Sequence, residues 1–248
     1  MPMVDWRSSE PYERLQMVDA PTFAGEFLDR NQEFHEDVRR LIREHPESGP
    51  QDHDDDDHGD AFESRWGCML GPELLASPLE PRWTFRALPS KLLIIATPPR
   101  LRTALPLRLT RTADAGTRTS SVRFEVEEAG PAGPCSVVIP LDQLLDVRLA
   151  AVRQLAADLA GKPTLDPFAL TPARRGRLIQ ALRALDGRQG GAAYRAIAAA
   201  LFGQAAVPER AWKTHDLRDR TIRLVRYGEA LMRGGYRQLL NHRQRSLR

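Results

Sequence analysis

The stretch HDLRDRTIRLVRYGEALMR, residues 215–233, decides how the C-terminal third of this chain is interpreted. On a helical wheel of about 100° per residue, its apolar side chains share one arc and its arginines lie opposite. The apolar arc holds Leu217, Thr221, Leu224, Val225, Gly228, Leu231 and Met232; the other holds Arg223, Arg226 and Arg233, flanked by Arg218 and Arg220. The pattern predicts a helix from about Asp216 to Arg233. Its apolar arc should pack in a core, and its arginine arc should face a polyanion.

Two shorter helices are predicted before this one. Thr171-Pro172 combines an N-cap with a proline in the first turn, and we expect the helix that starts there to close at Asp186-Gly187. A second helix should run from about Ala192 to Phe202, followed by a loop of about ten residues. Helix, helix, loop and arginine-faced helix together predict an all-α helix-turn-helix domain over residues 161–248, with an unusually long turn.

The charge is distributed unevenly along the chain, although its net value is only +3. Residues 1–66 hold 7 Lys+Arg against 18 Asp+Glu, residues 67–170 hold 12 against 10, and residues 171–248 hold 17 against 5. Of the last 17 cations, 16 are arginine, whose planar fork suits phosphates and guanine edges. We expect the basic end to bind nucleic acid and the acidic end to contact protein. The alternative is a three-helix bundle whose arginines are only solvated.

The N-terminal third is predicted to be helical and then irregular. Apolar residues recur at helical spacing within 11–45, which indicates one or two amphipathic helices. Residues 46–60 lose this periodicity and are expected to form a disordered loop. The run His53–His58 also suits a metal site, but contiguous like charges favour a solvated chain.

The middle of the chain is predicted to form short strands. Lys91–Ala96 is a candidate for a buried strand, Val122–Glu127 alternates between apolar and charged residues, and Cys135–Ile139 is a third segment. Their connections look too short for crossover helices, so we expect an antiparallel sheet. We expect Trp66 and Trp83 to be buried against it.

A further helix is predicted from Asp146 to Leu159, ended by Gly161-Lys-Pro163. The fold class is therefore α+β. We expect an N-terminal domain over 1–160, with a helical segment and a small antiparallel β segment, and an all-α domain over 161–248.

Several segments resemble a known proteobacterial domain, an extended-turn variant of the helix-turn-helix. The matching segments are Ala181–Gly187, Ala193–Ile197, Leu201–Gly203, Trp212–Thr214, Leu217–Arg220 and Leu231–Tyr236. Asp19–Pro21, Glu26–Asn31 and Arg65–Gly67 resemble the domain that often precedes it. Two-domain members of this family, of the FseA and RovC types, are transcriptional activators of mobile-element excision or of type VI secretion genes, and the RovC type is described as a hexamer. Short acidic members are antiactivators.

The resemblance implies an activator that binds double-stranded promoter DNA, and we expect a homo-oligomer, a dimer or a hexamer, that contacts RNA polymerase. Nearest the bases we place Lys213, Thr214, His215, Arg218 and Arg223. Phosphate contacts are expected from Arg220, Arg226, Arg233 and Arg237.

Other classes of protein are disfavoured by the sequence. It shows no apolar run of membrane-spanning length and no signal pattern, and its two cysteines favour a reducing cytoplasm. We find no phosphate loop, zinc motif or nucleophile elbow, so we expect no enzyme and no cofactor. Two alternatives remain open: a metal-dependent nuclease that uses the Asp52–Asp57 run, and a regulator that titrates a partner without binding DNA.

Overall fold

The computed structural model describes residues 4–44, 57–69, 82–84, 87–88, 90–96, 124–128, 136–162, 168–207 and 212–241. Within these residues the chain is mostly helical. The helices are α1 (Ala20–Leu28), α2 (Gln32–Glu44), α3 (Asp57–Trp66), α4 (Leu145–Leu159), α5 (Pro172–Gln189), α6 (Tyr194–Phe202), α7 (Asp216–Ala230) and α8 (Arg237–Leu240). Three 3₁₀ turns cover Glu10–Gln16, Gln204–Ala206 and Trp212–Thr214.

The N-terminal helices form where the apolar periodicity predicts them. Asp19 caps α1, because its carboxylate accepts the backbone N–H of Thr22 at 2.9 Å, and Pro21 occupies the first turn. The prediction of helices within 11–45 is confirmed by α1 and α2. Of the predicted loop, residues 46–56 lie outside the described residues. The prediction is wrong for Asp57–Asp60, which form the first turn of α3.

The strands form two small sheets. In one, β1 (Cys68–Met69) pairs antiparallel with β2 (Arg82–Trp83). In the other, the central strand β3 (Leu92–Ala96) lies parallel to β4 (Phe124–Glu128) and antiparallel to β5 (Ser136–Val138). The prediction of an antiparallel sheet is therefore wrong. The connection over residues 97–123 is long enough to bring β4 back in the same direction as β3.

The C-terminal helices begin as predicted but end differently. Thr171 caps α5 by accepting the Arg174 N–H at 3.3 Å. The predicted closure of this helix at Asp186-Gly187 is wrong, because α5 continues to Gln189. After α7 the chain forms a π-helical turn, Leu231–Gly235, and Gly234 adopts φ 120° there before α8 begins.

One hydrophobic core joins the two ends of the chain. Phe23, Phe27 and Leu28 of α1 belong to the same buried cluster as Leu182 of α5 and Tyr236 before α8. Trp66 and Trp83 are buried in this cluster as well, only 5% and 3% exposed. The predicted division between 1–160 and 161–248 thus separates segments that share a core.

Within the described part of the chain, none of the helices combines the length and the apolar character that a membrane crossing requires. Cys68 is buried as a free thiol, and burial raises its pKa to about 12.

Candidate nucleic-acid interface

Helices α5, α6 and α7 pack against one another and fix the orientation of α7. The apolar arc of α7 faces inward: Thr221, Val225 and Leu231 are at most 3% exposed. Gly228 makes the closest approach, since a Cβ atom there would lie 2.8 Å from the Ala181 carbonyl oxygen of α5. The connection from α6 to α7 covers residues 203–215, so it is long, as the sequence indicates.

The opposite side of α7 is exposed and basic. We call it the open face of α7 and define it by Arg220, Arg223 and Arg226 of α7 together with Arg233 of the π-helical turn that follows, all exposed. Arg223 and Arg226 have no ion-pair partner among the residues that the structure describes. Arg223 and Arg226 therefore present free guanidinium groups to solvent.

The residues before α7 differ in exposure and in their contacts within the protein. Lys213 and Thr214 are exposed on the 3₁₀ turn. His215 is half-buried and caps α7, because its Nδ1 accepts the backbone N–H of Leu217 at 3.2 Å.

Two predicted site residues have partners inside the protein. Arg218 is half-buried and its Nη1 lies 3.4 Å from Oδ1 of Asp219. Arg237 donates from Nη2 to the carbonyl oxygen of Arg65, at the end of α3. Arg220, Arg223, Arg226 and Arg233 are thus exposed to solvent, whereas Arg237 reaches towards the N-terminal helices.

Sequence reasoning missed an arginine beside the open face. The guanidinium carbon of Arg177, on α5, lies 4.5 Å from the centroid of the Tyr227 ring. On α6, the ring of Phe202 supports Arg220 in the same way, at 4.6 Å. The only local signal for such contacts would be the aromatic residues at helix positions, which do not show which arginine will reach them.

The N-terminal helices meet this domain at a contact region that we call the junction, centred on Asp186 of α5. Asp186 accepts from Arg30 Nε at 2.5 Å and from Arg30 Nη2 at 2.9 Å, and from the Tyr12 hydroxyl at 2.5 Å. Glu26, fully buried, pairs with Arg30 at 3.1 Å and with Arg14 at 2.5 Å. Further hydrogen bonds of the junction run from Asn31 Nδ2 to Met232 O, from Gln189 Nε2 to Arg30 O and from Tyr236 Oη to Trp66 O.

Burial perturbs the junction groups strongly. It raises the pKa of the Tyr12 hydroxyl, and the adjacent Asp186 carboxylate raises it further. For Arg30, burial opposes the charge, but the hydrogen bonds and attraction of Asp186 outweigh it and raise the pKa. Tyr12 therefore keeps its proton and Arg30 keeps its charge at physiological pH.

Among the described residues, no group of three His, Cys, Asp or Glu side chains is arranged to hold a metal ion. The run His53–Asp56 of the alternative metal site lies outside the described residues.

Comparison with known families agrees with this geometry. A family model described as a T6SS transcription factor DNA-binding domain matches residues 138–241, which include α4 to α8. A second, described as a proteobacterial transcriptional regulator-like domain, matches residues 5–69. No curated protein matches the chain.

The helical bundle, its open basic face and the two matches define a DNA-binding transcription regulator linked to type VI secretion. Because one match covers the N-terminal helices and the other covers the basic domain, the order of the two domains agrees with the resemblance seen in the sequence. The two matches together support a RovC-like proteobacterial regulator.

Proposed function

We propose that the protein is a sequence-specific transcriptional activator that binds promoter DNA through the open face of α7. The observation that carries this proposal is the exposure of Arg223 and Arg226, opposite a buried seam, in the domain matched as DNA-binding. In this proposal α5, α6 and α7 act as a helix-turn-helix with an extended turn, and α7 enters the major groove.

The predicted site residues take different roles in this complex. Lys213, Thr214, Arg218 and Arg223 lie nearest the base edges, and Arg220, Arg226 and Arg233 contact phosphates. His215 and Arg237 can join the interface only if they give up the Leu217 amide and the Arg65 carbonyl. DNA binding by these two residues therefore competes with contacts inside the protein.

The targets and partners follow from the family description and from general rules. The domain description favours type VI secretion genes over mobile-element transfer genes as targets. Symmetric operators are read by symmetric proteins, which supports a homo-oligomer, a dimer or a hexamer, acting on DNA in the cytoplasm. Within the proposed division at residue 160, the acidic N-terminal domain, −11 over residues 1–66, is the surface offered to RNA polymerase or to another copy.

The test of DNA binding uses the full-length protein. Genome-wide footprinting supplies a duplex, and fluorescence anisotropy then measures affinity for wild type, Arg223→Glu and the control Arg39→Glu, an exposed arginine on α2. We expect Arg223→Glu to abolish binding without loss of helicity by circular dichroism, and Arg39→Glu to bind as wild type does. If about five phosphates are neutralised, log affinity should fall against log salt with a slope of about −4 to −5.

Equal binding by Arg223→Glu and wild type would overturn the assignment of the open face. Failure of the wild type to bind any duplex would favour the regulator that titrates a partner. Activation is tested by transcription with purified RNA polymerase from the footprinted promoter, where unchanged transcript yield contradicts an activator. Light scattering after size-exclusion chromatography tests the oligomer, and a monomer at micromolar concentration contradicts it.

A further inference from the structure

Three arginines from two helices follow one side of α7. Arg177 comes from α5, and Arg220 and Arg223 come from α7; we call these three the arginine strip. All three are exposed, and none has an ion-pair partner among the described residues. The strip overlaps the open face of α7, but Arg177 lies outside the helix that the sequence selects.

Aromatic rings hold the two ends of the strip. Arg220 lies over Phe202 at 4.6 Å and Arg177 lies over Tyr227 at 4.5 Å, and both rings are half-buried between helices. On α7, Arg223 follows Arg220 by three positions and precedes Tyr227 by four, so all three side chains emerge on the same side. The guanidinium of Arg177 therefore extends the row that Arg220 and Arg223 begin.

A guanidinium stacked on a ring is restrained without losing its hydrogen-bond donors. The ring contacts the flat face of the group, while its N–H donors point outward in the plane. Restraint before binding lowers the entropy lost when the side chain contacts a phosphate. The strip thus combines fixed positive charge, free donors and a linear arrangement, which suits the successive phosphates of a nucleic acid strand.

Resting on the proposed function, we propose that Arg177 is a DNA-contacting residue. Arg177 and Arg220, the two ring-supported ends of the arginine strip, bind the sugar-phosphate backbone of one strand beside the groove that α7 enters, while Arg223 between them reaches the base edges. Arg177 and Arg220 position the protein on the duplex and carry no sequence preference. Helix α5 then takes part in DNA binding, in addition to supporting α7 from behind.

The same helix supplies a matched control. Arg188, also exposed on α5, lies over the ring of Tyr194 at 5.3 Å, so it shares the residue type and the ring contact of Arg177. It is near the other end of α5, about 16 Å away along the helix axis. A purely structural role of ring-stacked arginines would make the two positions behave alike.

The test measures duplex affinity by anisotropy between about 50 and about 200 mM salt for the full-length protein. We expect Arg177→Gln to weaken binding about 5- to 10-fold, equally for operator and unrelated duplex, and to reduce the salt slope by about 1. Arg188→Gln should leave affinity and slope unchanged. Tyr227→Leu, checked for folding by thermal melting, should weaken binding but keep the wild-type slope, because the charge stays and only its restraint is lost.

The outcomes separate this proposal from the proposed function. If wild type binds and Arg223→Gln weakens binding, but Arg177→Gln matches Arg188→Gln in affinity and slope, the proposal for Arg177 is overturned and DNA binding stands. A loss confined to the operator, with unrelated duplex unaffected, overturns the assignment to the backbone. If wild type binds no duplex, the proposed function itself fails.

Discussion

Arginine is used in opposite ways at the open face of α7 and at the junction. On the open face, Arg223 and Arg226 extend into solvent without described partners. At the junction, Arg183 donates to the carbonyl oxygens of Trp6, Arg7 and Ala200, and Arg30 is held by Asp186 and Glu26. Partial burial lowers the pKa of Arg183. The comparison shows that the net charge of the C-terminal third overstates the number of arginines that could contact DNA.

The largest expected difference between the two regions is in stability. Asp186→Ala leaves Arg30 buried without its main partner and the Tyr12 hydroxyl without its acceptor, so it should lower the free energy of unfolding by about 3–5 kcal/mol. Beside the open face, Asp219→Ala removes an exposed side chain and should change stability by no more than about 0.5 kcal/mol. Urea unfolding followed by circular dichroism measures both. Equal effects would show that the junction does not stabilise the fold.

The next largest effect on stability is expected at the close contact between α5 and α7, behind the open face. Gly228→Ala adds a Cβ atom 2.8 Å from the Ala181 carbonyl oxygen, and backbone must shift to accept it. We expect a loss of about 1–3 kcal/mol in thermal or urea unfolding. Gly176→Ala, in α5, is the control, because a Cβ there meets nothing within 4 Å. Unchanged stability of Gly228→Ala would mean that α5 and α7 are farther apart than described.

A single hydrogen bond at the junction should matter less. Tyr236→Phe removes the hydroxyl that donates to the Trp66 carbonyl oxygen at 2.7 Å and leaves that buried oxygen unpaired. The expected cost is about 1–2 kcal/mol, with ring packing against Trp83 kept. Duplex affinity should not change, since Tyr236 is fully buried. A variant as stable as wild type would show that this hydrogen bond does not stabilise the junction.

The smallest effect depends on pH. His35 Nε2 lies 3.4 Å from an Asp29 carboxylate oxygen, and hydrogen bonding to Asp29 raises the pKa of the imidazole above its usual 6.5 although burial opposes this. A raised folded-state pKa stabilises the protein below about 6.5, and this stability is lost as pH rises through the folded-state value. Stability measured from pH 6 to 9 should fall less in His35→Gln than in wild type. An equal loss of stability in wild type and His35→Gln would contradict the ion pair between His35 and Asp29.

Local signals explain what the sequence predicted correctly. Thr171 is recognisable as a cap from its residue type and the proline that follows it, and the apolar arc of residues 215–233 identifies the buried side of α7. The exposed arginines followed from the same arc. These features depend on neighbours within one or two turns, so one sequence suffices to find them.

Contacts between distant segments explain the features that the sequence did not predict. Asp186-Gly187 resembles a helix end, yet the Asp186 side chain binds Arg30 and Tyr12, and Gly187 leaves room for Trp6 and Ile197. The parallel pairing of β3 and β4 depends on the path of residues 97–123, which no local pattern records. Arg177 was missed for the same reason, because its ring partner lies on another helix.

The turn at Gly234 has a mechanical consequence. The backbone is kinked there, and α1 packs against both the π-helical turn and α8, so the N-terminal helices contact the segment that follows α7. A displacement of α1 therefore disturbs α8 and the π-helical turn, the two elements that directly follow α7. The C-terminal end of α7 is thus held in place by a segment from the opposite part of the sequence.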